Sequence, residues 1–194
     1  KMLKEGADFL DIGGYSSRPG AKDISTDDEL ERVLDPINAI RENFPQAVIS
    51  IDTFRSEVAV KAIEAGAKMV NDISAGHLDE KMLESVAHLR VPYIAMHMKG
   101  TPQNMKSKTS YEDLLKEVTG YFSEVLKKCV KLGIKDVIID PGFGFAKTIE
   151  QSFSLLNQLD YLKILERPLL AGLSRKSMIY RTLDLTAEQA LNGT

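Results

Sequence analysis

Cysteine, tryptophan and long apolar runs are scarce or absent in this chain of 194 residues: it has one Cys, no Trp and seven Pro. A single thiol excludes an intrachain disulfide. Cys129 falls at helical spacing among Phe122, Val125, Leu126 and Val130, which marks a core thiol rather than a nucleophile. A reducing, cytoplasmic setting fits that usage. No apolar run approaches the ~20 residues that a membrane helix needs, and no signal-like segment is visible. Charge of one sign is also lacking. The net charge is −3, with acids and bases interleaved, which leaves neither a basic face for nucleic acid nor a polybasic anchor for a membrane. Small molecules are the expected partners. No G-x-G-x-x-G, G-x-S-x-G or P-loop occurs, which argues against dinucleotide binding, serine hydrolysis and nucleotide-kinase chemistry. His97 has no Cys or second His at ligand spacing, and His77 and His88 are scattered, so a zinc centre is not expected. His97 reads as structural or rim-lining.

What is present is a repeated unit. With 43% hydrophobic residues the chain supports one core and one domain, 1–194. Six short apolar stretches each stop at a polar residue before a Gly-, Ser- or Pro-rich loop. The stops are Asp11, Asp52, Asn71, His97, Asp140 and Ser174, the last after Leu169 to Leu173. Between them lie amphipathic stretches with helix punctuation. Ser25 or Thr26 can cap a helix with Leu30, Val33, Leu34, Ile37 and Ile40 on its apolar face and Pro36 as an expected kink. Ser56 opens a helix closed by Gly66, and Met82, Leu83, Val86 and Leu89 mark a third. Ser110 to Asp113 resembles a capping box for a long helix closed by Gly133. Thr148 and Thr186 can start two more. Short bulky runs read as parallel strands covered on both faces, and polar strand ends recur along the whole chain rather than at one switch point. The expectation is a (β/α)₈ TIM barrel with about six βα units present and the first and last strands missing.

The strand ends carry groups suited to one flat, polar ligand. Asp140 follows Val137-Ile138-Ile139 and precedes Pro141-Gly142-Phe143-Gly144-Phe145. A carboxylate there is costly unless it accepts strong hydrogen bonds, and a ligand with two adjacent N–H donors, such as a pterin or guanine edge, satisfies it. Phe143 or Phe145 can stack on a ring or simply pack. Asn71 offers both donor and acceptor, and Asp52 is either a ligand acceptor or a helix cap. Asp11 opens Ile12-Gly13-Gly14-Tyr15-Ser16-Ser17-Arg18-Pro19-Gly20, a loop with hydroxyls and an Arg that can meet an anion. Ser174-Arg175-Lys176-Ser177 puts two cations at a helix start against the helix dipole, which argues for something negative or electron-rich bound there.

Taken in order, these segments resemble the dihydropteroate synthase family, pterin-binding TIM barrels of folate biosynthesis that sulfonamides inhibit. The matching motifs are Leu10 to Gly14 with Ser16 to Gly20, Ile51-Asp52-Thr53, Val70 to Ile73, Met96 to Gly100, Asp140 to Phe145 and Ser174 to Ser177. The resemblance implies condensation of (7,8-dihydropterin-6-yl)methyl diphosphate with 4-aminobenzoate, giving 7,8-dihydropteroate and diphosphate, with Mg²⁺ sharing the diphosphate charge. It implies Asp52, Asn71, Asp140, Lys176 and Ser17 at the pterin, and Ser17, Arg18, Phe145, Lys176 and Ser177 at 4-aminobenzoate. Asp11 would support the pocket base, and Lys176, Arg18 and Asp52 would be the catalytic groups. It implies a homodimer as well. Tyr15 and Ser17 depart from the Glu and Thr common in the family. The opening strand with its metal-binding Asn, and the closing strand with an Arg-x-His pair, are not in the chain, so no metal ligand maps onto it. Two alternatives remain: a methyltetrahydrofolate-dependent methyltransferase, against which Ser16 to Gly20 and Ser174 to Ser177 argue, and a non-catalytic pterin-binding protein.

Overall fold

The computed structural model describes residues 1–18 and 21–194; Pro19 and Gly20, part of the early loop motif, lie outside the described residues. Five parallel strands form one sheet in chain order: β1 (Phe9–Gly13), β2 (Val48–Asp52), β3 (Met69–Asp72), β4 (Tyr93–Met96) and β5 (Val137–Asp140). Each strand lies beside its predecessor. A doubly wound sheet reverses its order at a switch point, and this one never does, which is the winding of a barrel.

The helices α1 (Thr26–Asn43), α2 (Ser56–Ala65), α3 (Met82–Leu89), α4 (Leu114–Leu132), α5 (Ile149–Asn157) and α6 (Ser177–Thr182) follow the strands. Ser25 caps α1 in a box with Asp28, and Thr148 caps α5 in a box with Gln151. Helix α1 runs unbroken through Pro36. The cap of α4 is Asp113, whose carboxylate accepts from Lys116 N–H, rather than a Ser110 box. Gly133 in the left-handed region ends that helix as read from sequence.

Register divides the strands into two faces. Ile49, Ile51, Val70, Tyr93, Ala95, Val137 and Ile139 are buried with Val33, Ile37, Val58, Ala62, Met82, Val86, Phe122, Val125 and Cys129 from the helices. Cys129 is a core thiol, pushed up to about 11 by burial. The alternate strand positions fall on the opposite face: Asp11 pairs with Ser50, Asp52 with Asn71, and Met96 with Asp140. Sidedness of this kind brings distant polar residues to one surface.

Three expectations need correction. Residues 169–173 are not a strand: Leu169 forms only an isolated bridge with Ile139, flanked by Ile139 N–H to Pro168 O and Leu170 N–H to Ile139 O. With no strand on its outer side among the described residues, the segment has a ladder on one flank only. Nor are the strands all covered on both faces, since Phe9 of β1 is 56% exposed. The helix expected from Thr186 is a 3₁₀ turn, Gln189–Gly193.

Loop glycines set the close approaches at the rim. A Cβ on Gly14 would sit 2.9 Å from the Glu29 carbonyl oxygen of α1. Gly142 has φ +68°, and its Cβ would collide with the His97 carbonyl oxygen. Strain and collision together make Gly142→Ala an expected loss of roughly 3 kcal/mol or more. A melting temperature within about 2 °C of wild type would contradict that reading.

Candidate active site

Asp11 and Asn71 meet on the polar face of the sheet. Asn71 Nδ2 donates to Asp11 Oδ2 at 3.0 Å, and Ser50 Oγ donates to the other carboxylate oxygen. Asn71 therefore turns its side-chain oxygen elsewhere, available to a donor. Asp52 lies between them in register, next to Gly13 on one side and Asn71 on the other. It caps no helix: Arg55 holds the cap position of α2, and Ser56 N–H bonds Asp79. Burial first, then the charges of Asp11, Asp72 and Glu29, push its pKa up to about 8.

Asp52 is thus mostly protonated at neutral pH when no ligand is present. The raised value means the folded chain keeps a proton that the unfolded chain releases above about pH 4. Its stability contribution is therefore lost as pH climbs from there through 8. Asp52→Asn is expected to raise the melting temperature at pH 9 by roughly 4 °C, with the gap closing toward pH 4, while weakening ligand binding. A gap independent of pH would show that Asp52 does not titrate as described.

Asp72, one residue on, points to the other face and is wholly buried. It accepts from Tyr93 OH, Ser74 N–H, Ser74 Oγ and Gly76 N–H, each at 2.7 Å, so it builds the turn after β3. Burial raises its pKa despite those donors.

At the far side, Asp140 is 7% exposed. Gly142 N–H donates to its Oδ1 at 2.8 Å. Burial raises its pKa, opposed by that bond and by the charges of Lys176 and Lys147. Gly172 lies beside it: a Cβ there would be 3.6 Å from Lys176 Nζ and 4.0 Å from Asp140 Oδ2. Lys176 donates to the Phe143 carbonyl at 2.6 Å and lies 5.0 Å from the centre of the Phe145 ring. Burial lowers its pKa while Asp140 raises it. The Lys176 cation thus leaves its own helix and serves the β5 loop. Arg175 is exposed, with φ +55°. The two phenylalanines differ in exposure: Phe143 is fully buried, while Phe145 is half-buried, and both border the same cavity.

A cavity of ≈ 530 Å³ joins the remaining residues. Ser17, Arg18, Phe143, Phe145, Lys176 and Ser177 line it together, with Met105 and Tyr180. Asp11, Ser50, Asp52 and Asn71 form one bonded or paired group on the polar face of β1 to β3, and Asp140 at the end of β5, on that same face, forms another with Phe145 from the loop that follows and Lys176 from the start of α6.

Three participants escaped the sequence reading. Glu29 is fully buried and receives Thr53 Oγ1 at 2.7 Å and the Arg55 guanidinium. It sits at positions 29, 33 and 37 with Val33 and Ile37, so a carboxylate on the apolar stripe of α1 was the available signal. Arg55 also donates to Ile24 O at 2.6 Å and Ser25 O at 3.3 Å, and stands 5.3 Å over the Tyr15 ring. It holds both roots of the loop bearing Ser17 and Arg18. Tyr15 adds an edge contact to Phe54 at 4.9 Å, and its OH accepts from Gln103 Nε2 at 2.6 Å. Lys147, buried behind Asp140, left no periodic signal because it lies in a loop. Burial lowers it to about 7, with Asp140 opposing and Lys176 and Lys99 adding to the shift.

His97 is structural: it is buried, and its Nδ1 receives Lys147 Nζ at 2.8 Å. Among the described residues no group of three or more His, Cys, Asp or Glu could hold a metal ion. The Mg²⁺ that the resemblance implies finds no ligand set in this chain's described residues. No helix is long and apolar enough to cross a membrane among those residues.

A parallel, singly wound sheet that brings carboxylates and an amide to one face near its strand ends, with the Lys176 ammonium reaching the β5 loop from the start of α6, is the layout of a barrel-type α/β protein with a polar mouth. The chain belongs to the pterin-binding enzyme family, whose pattern matches residues 1–193. Among its relatives, the dihydropteroate synthase of Synechocystis sp. is 46% identical over 185 residues, covering 94% of this chain and 64% of that protein. The chain thus spans just under two thirds of that relative's length. The dihydropteroate synthase of Yersinia pestis, solved as a sulfonamide drug complex, superposes with a TM-score of 0.94 at 38% identity over 99% of this chain and 70% of that one. That of Xanthomonas albilineans, solved with 4-aminobenzoic acid, gives 0.92 at 39% identity over 99% and 68%. The same likeness bears out the TIM-barrel expectation.

Proposed function

We propose that this chain carries the pterin and 4-aminobenzoate sites of a dihydropteroate synthase. The amine of 4-aminobenzoate attacks the 6-methylene carbon of (7,8-dihydropterin-6-yl)methyl diphosphate, the C–O bond breaks, diphosphate leaves with the electron pair, and the amine gives up a proton. The single observation that carries the reading is the cavity shared by Ser17, Arg18, Phe145, Lys176 and Ser177, with Asp140 and Lys176 meeting at Gly172.

The roles follow from the groups. Asp140 accepts the two adjacent N–H donors of the amino-pyrimidinone edge, which compensates its burial. Asn71 bonds the ring through its carbonyl oxygen, its amide being fixed on Asp11. Asp52, holding a proton, donates to a ring acceptor or gives that proton up to the ligand's surroundings as pH rises. Lys176 touches the heterocycle from beside Phe145, and Phe145 covers the aminobenzoate ring. Ser17 and Ser177 offer hydroxyls to the aminobenzoate and Arg18 meets departing charge. When cleavage runs ahead of attack, catalysis is mostly placement and electrostatic stabilisation, and no nucleophilic side chain is required. A sulfonamide is expected to compete with 4-aminobenzoate for the cavity.

The resemblance also supports a homodimer and Mg²⁺ dependence for the intact protein, and the lone buried thiol supports a cytoplasmic setting. The test is to incubate the intact protein with both substrates in magnesium-containing buffer. Diphosphate release strictly dependent on 4-aminobenzoate is expected. Tight pterin binding without release would instead identify a non-catalytic binding protein.

A further inference from the structure

Lys147 is 7% exposed, in the loop between β5 and α5. Its Nζ lies 3.1 Å from Gly142 O, 3.1 Å from Phe145 O, 3.4 Å from His97 O and 2.8 Å from His97 Nδ1. Two of these acceptors belong to the loop that starts at Asp140 and carries Phe145. The other two belong to the residue that follows β4. No carboxylate lies within ion-pair distance of Lys147 among the described residues, so its charge is balanced by carbonyl dipoles and, farther away, by Asp140.

The loop it ties is an unfavourable one to hold. Gly142, Gly144 and Ala146 all have positive φ, at 68°, 79° and 48°, and for Ala146 that conformation is strained. Such a backbone persists when its surroundings over-determine it. His97 suits the clamp because burial, then the Lys147 charge, holds its imidazole neutral with a pKa of about 2, leaving Nδ1 an acceptor. An apolar side chain at 147 would fill the space without the cost of desolvating an ammonium, but it would leave Phe145 O, His97 O and His97 Nδ1 without this donor, Gly142 O alone keeping the Phe145 N–H at 3.0 Å.

We infer that Lys147 is a positioning residue: the N–H donors of its buried amino group pin the Asp140–Phe145 loop to the end of β4 and thereby fix where Asp140 and Phe145 face the substrates. The role rests on the pterin reading above and deepens it. Lys147 touches no substrate and acts through the residues it holds.

The test uses the intact protein, titrated calorimetrically with (7,8-dihydropterin-6-yl)methyl diphosphate well below the melting temperature, together with steady-state kinetics. Lys147→Met keeps the length and removes every donor. Stoichiometry near one, a Kd about 10-fold weaker and a comparable rise in KM for 4-aminobenzoate, with a smaller change in kcat, are expected. Lys147→Gln keeps two N–H donors and should recover part of that loss; where the methionine variant does not fold, a several-fold weaker Kd in the glutamine variant carries the test. Fewer binding sites at the wild-type Kd would mean that Lys147 only stabilises the fold, and would overturn the proposal. So would wild-type Kd in both variants. Wild-type protein that binds no pterin would overturn the underlying pterin reading instead.

Discussion

Replacing Asp140 by asparagine is expected to weaken capture of the dihydropterin substrate by about 100-fold or more, measured as Kd by calorimetry. The argument turns on Gly142. Its N–H donates to Asp140 Oδ1 at 2.8 Å, so an asparagine keeps its carbonyl oxygen there and must present its NH₂ where Oδ2 stands. The amide then points two protons at a ligand edge that itself offers protons. The same NH₂ faces the Lys176 ammonium across Gly172, where the carboxylate had opposed it. Both consequences have the same sign. Because the substitution preserves shape, the melting temperature should move by only a few degrees. Near-normal pterin affinity would remove Asp140 from the site.

Lys176→Ala should lower kcat/KM by about 100-fold and weaken pterin binding in step, through two additive losses. The first is direct contact, since Nζ lies between Phe143 O and the Phe145 ring at the cavity wall. The second acts through Asp140. Burial raises that carboxyl, and Lys176 is among the charges pulling it down, so without Lys176 the carboxyl moves further toward its protonated form. A protonated Asp140 accepts less well from two donors. The loss is therefore expected to be greater at low pH, and to ease as pH rises and restores the carboxylate. Unchanged turnover would refute the assignment.

The fold was legible where local chemistry is strong. Polar stops after bulky runs located the ends of β2 to β5 to within one residue, while β1 runs on through Asp11 to Gly13, and Ser25, Thr148 and Gly133 marked helix boundaries where they were expected. The segment at Leu169 misled because its composition is that of a strand, while a strand also needs neighbours, and only Ile139 bridges it. For the candidate site, the motif order proposed Asp52, Asn71, Asp140 and Lys176, and one cavity gathers Lys176 with Ser17, Arg18, Phe145 and Ser177. What could not be read were residues whose importance arises from long-range packing. Lys147 looks like an ordinary loop lysine until the chain folds His97 against it. Arg55 likewise gains its grip on Ile24 and Tyr15 only when β1 and β2 lie side by side. The direction of Lys176 was also hidden: its position at the start of α6 is visible in sequence, but its reach to Phe143 is not.

The most direct measurement is a crystal structure of the intact protein with a pterin and 4-aminobenzoate bound. The amino-pyrimidinone edge should rest on the Asp140 carboxylate with Asn71, Asp52 and Lys176 around the ring, and the aminobenzoate should lie against Phe145. A pterin found away from these strand ends, for instance in the ≈ 490 Å³ cavity lined by Arg90, Val91, Ile134 and Asp136 at the opposite end of β4 and β5, would contradict the account.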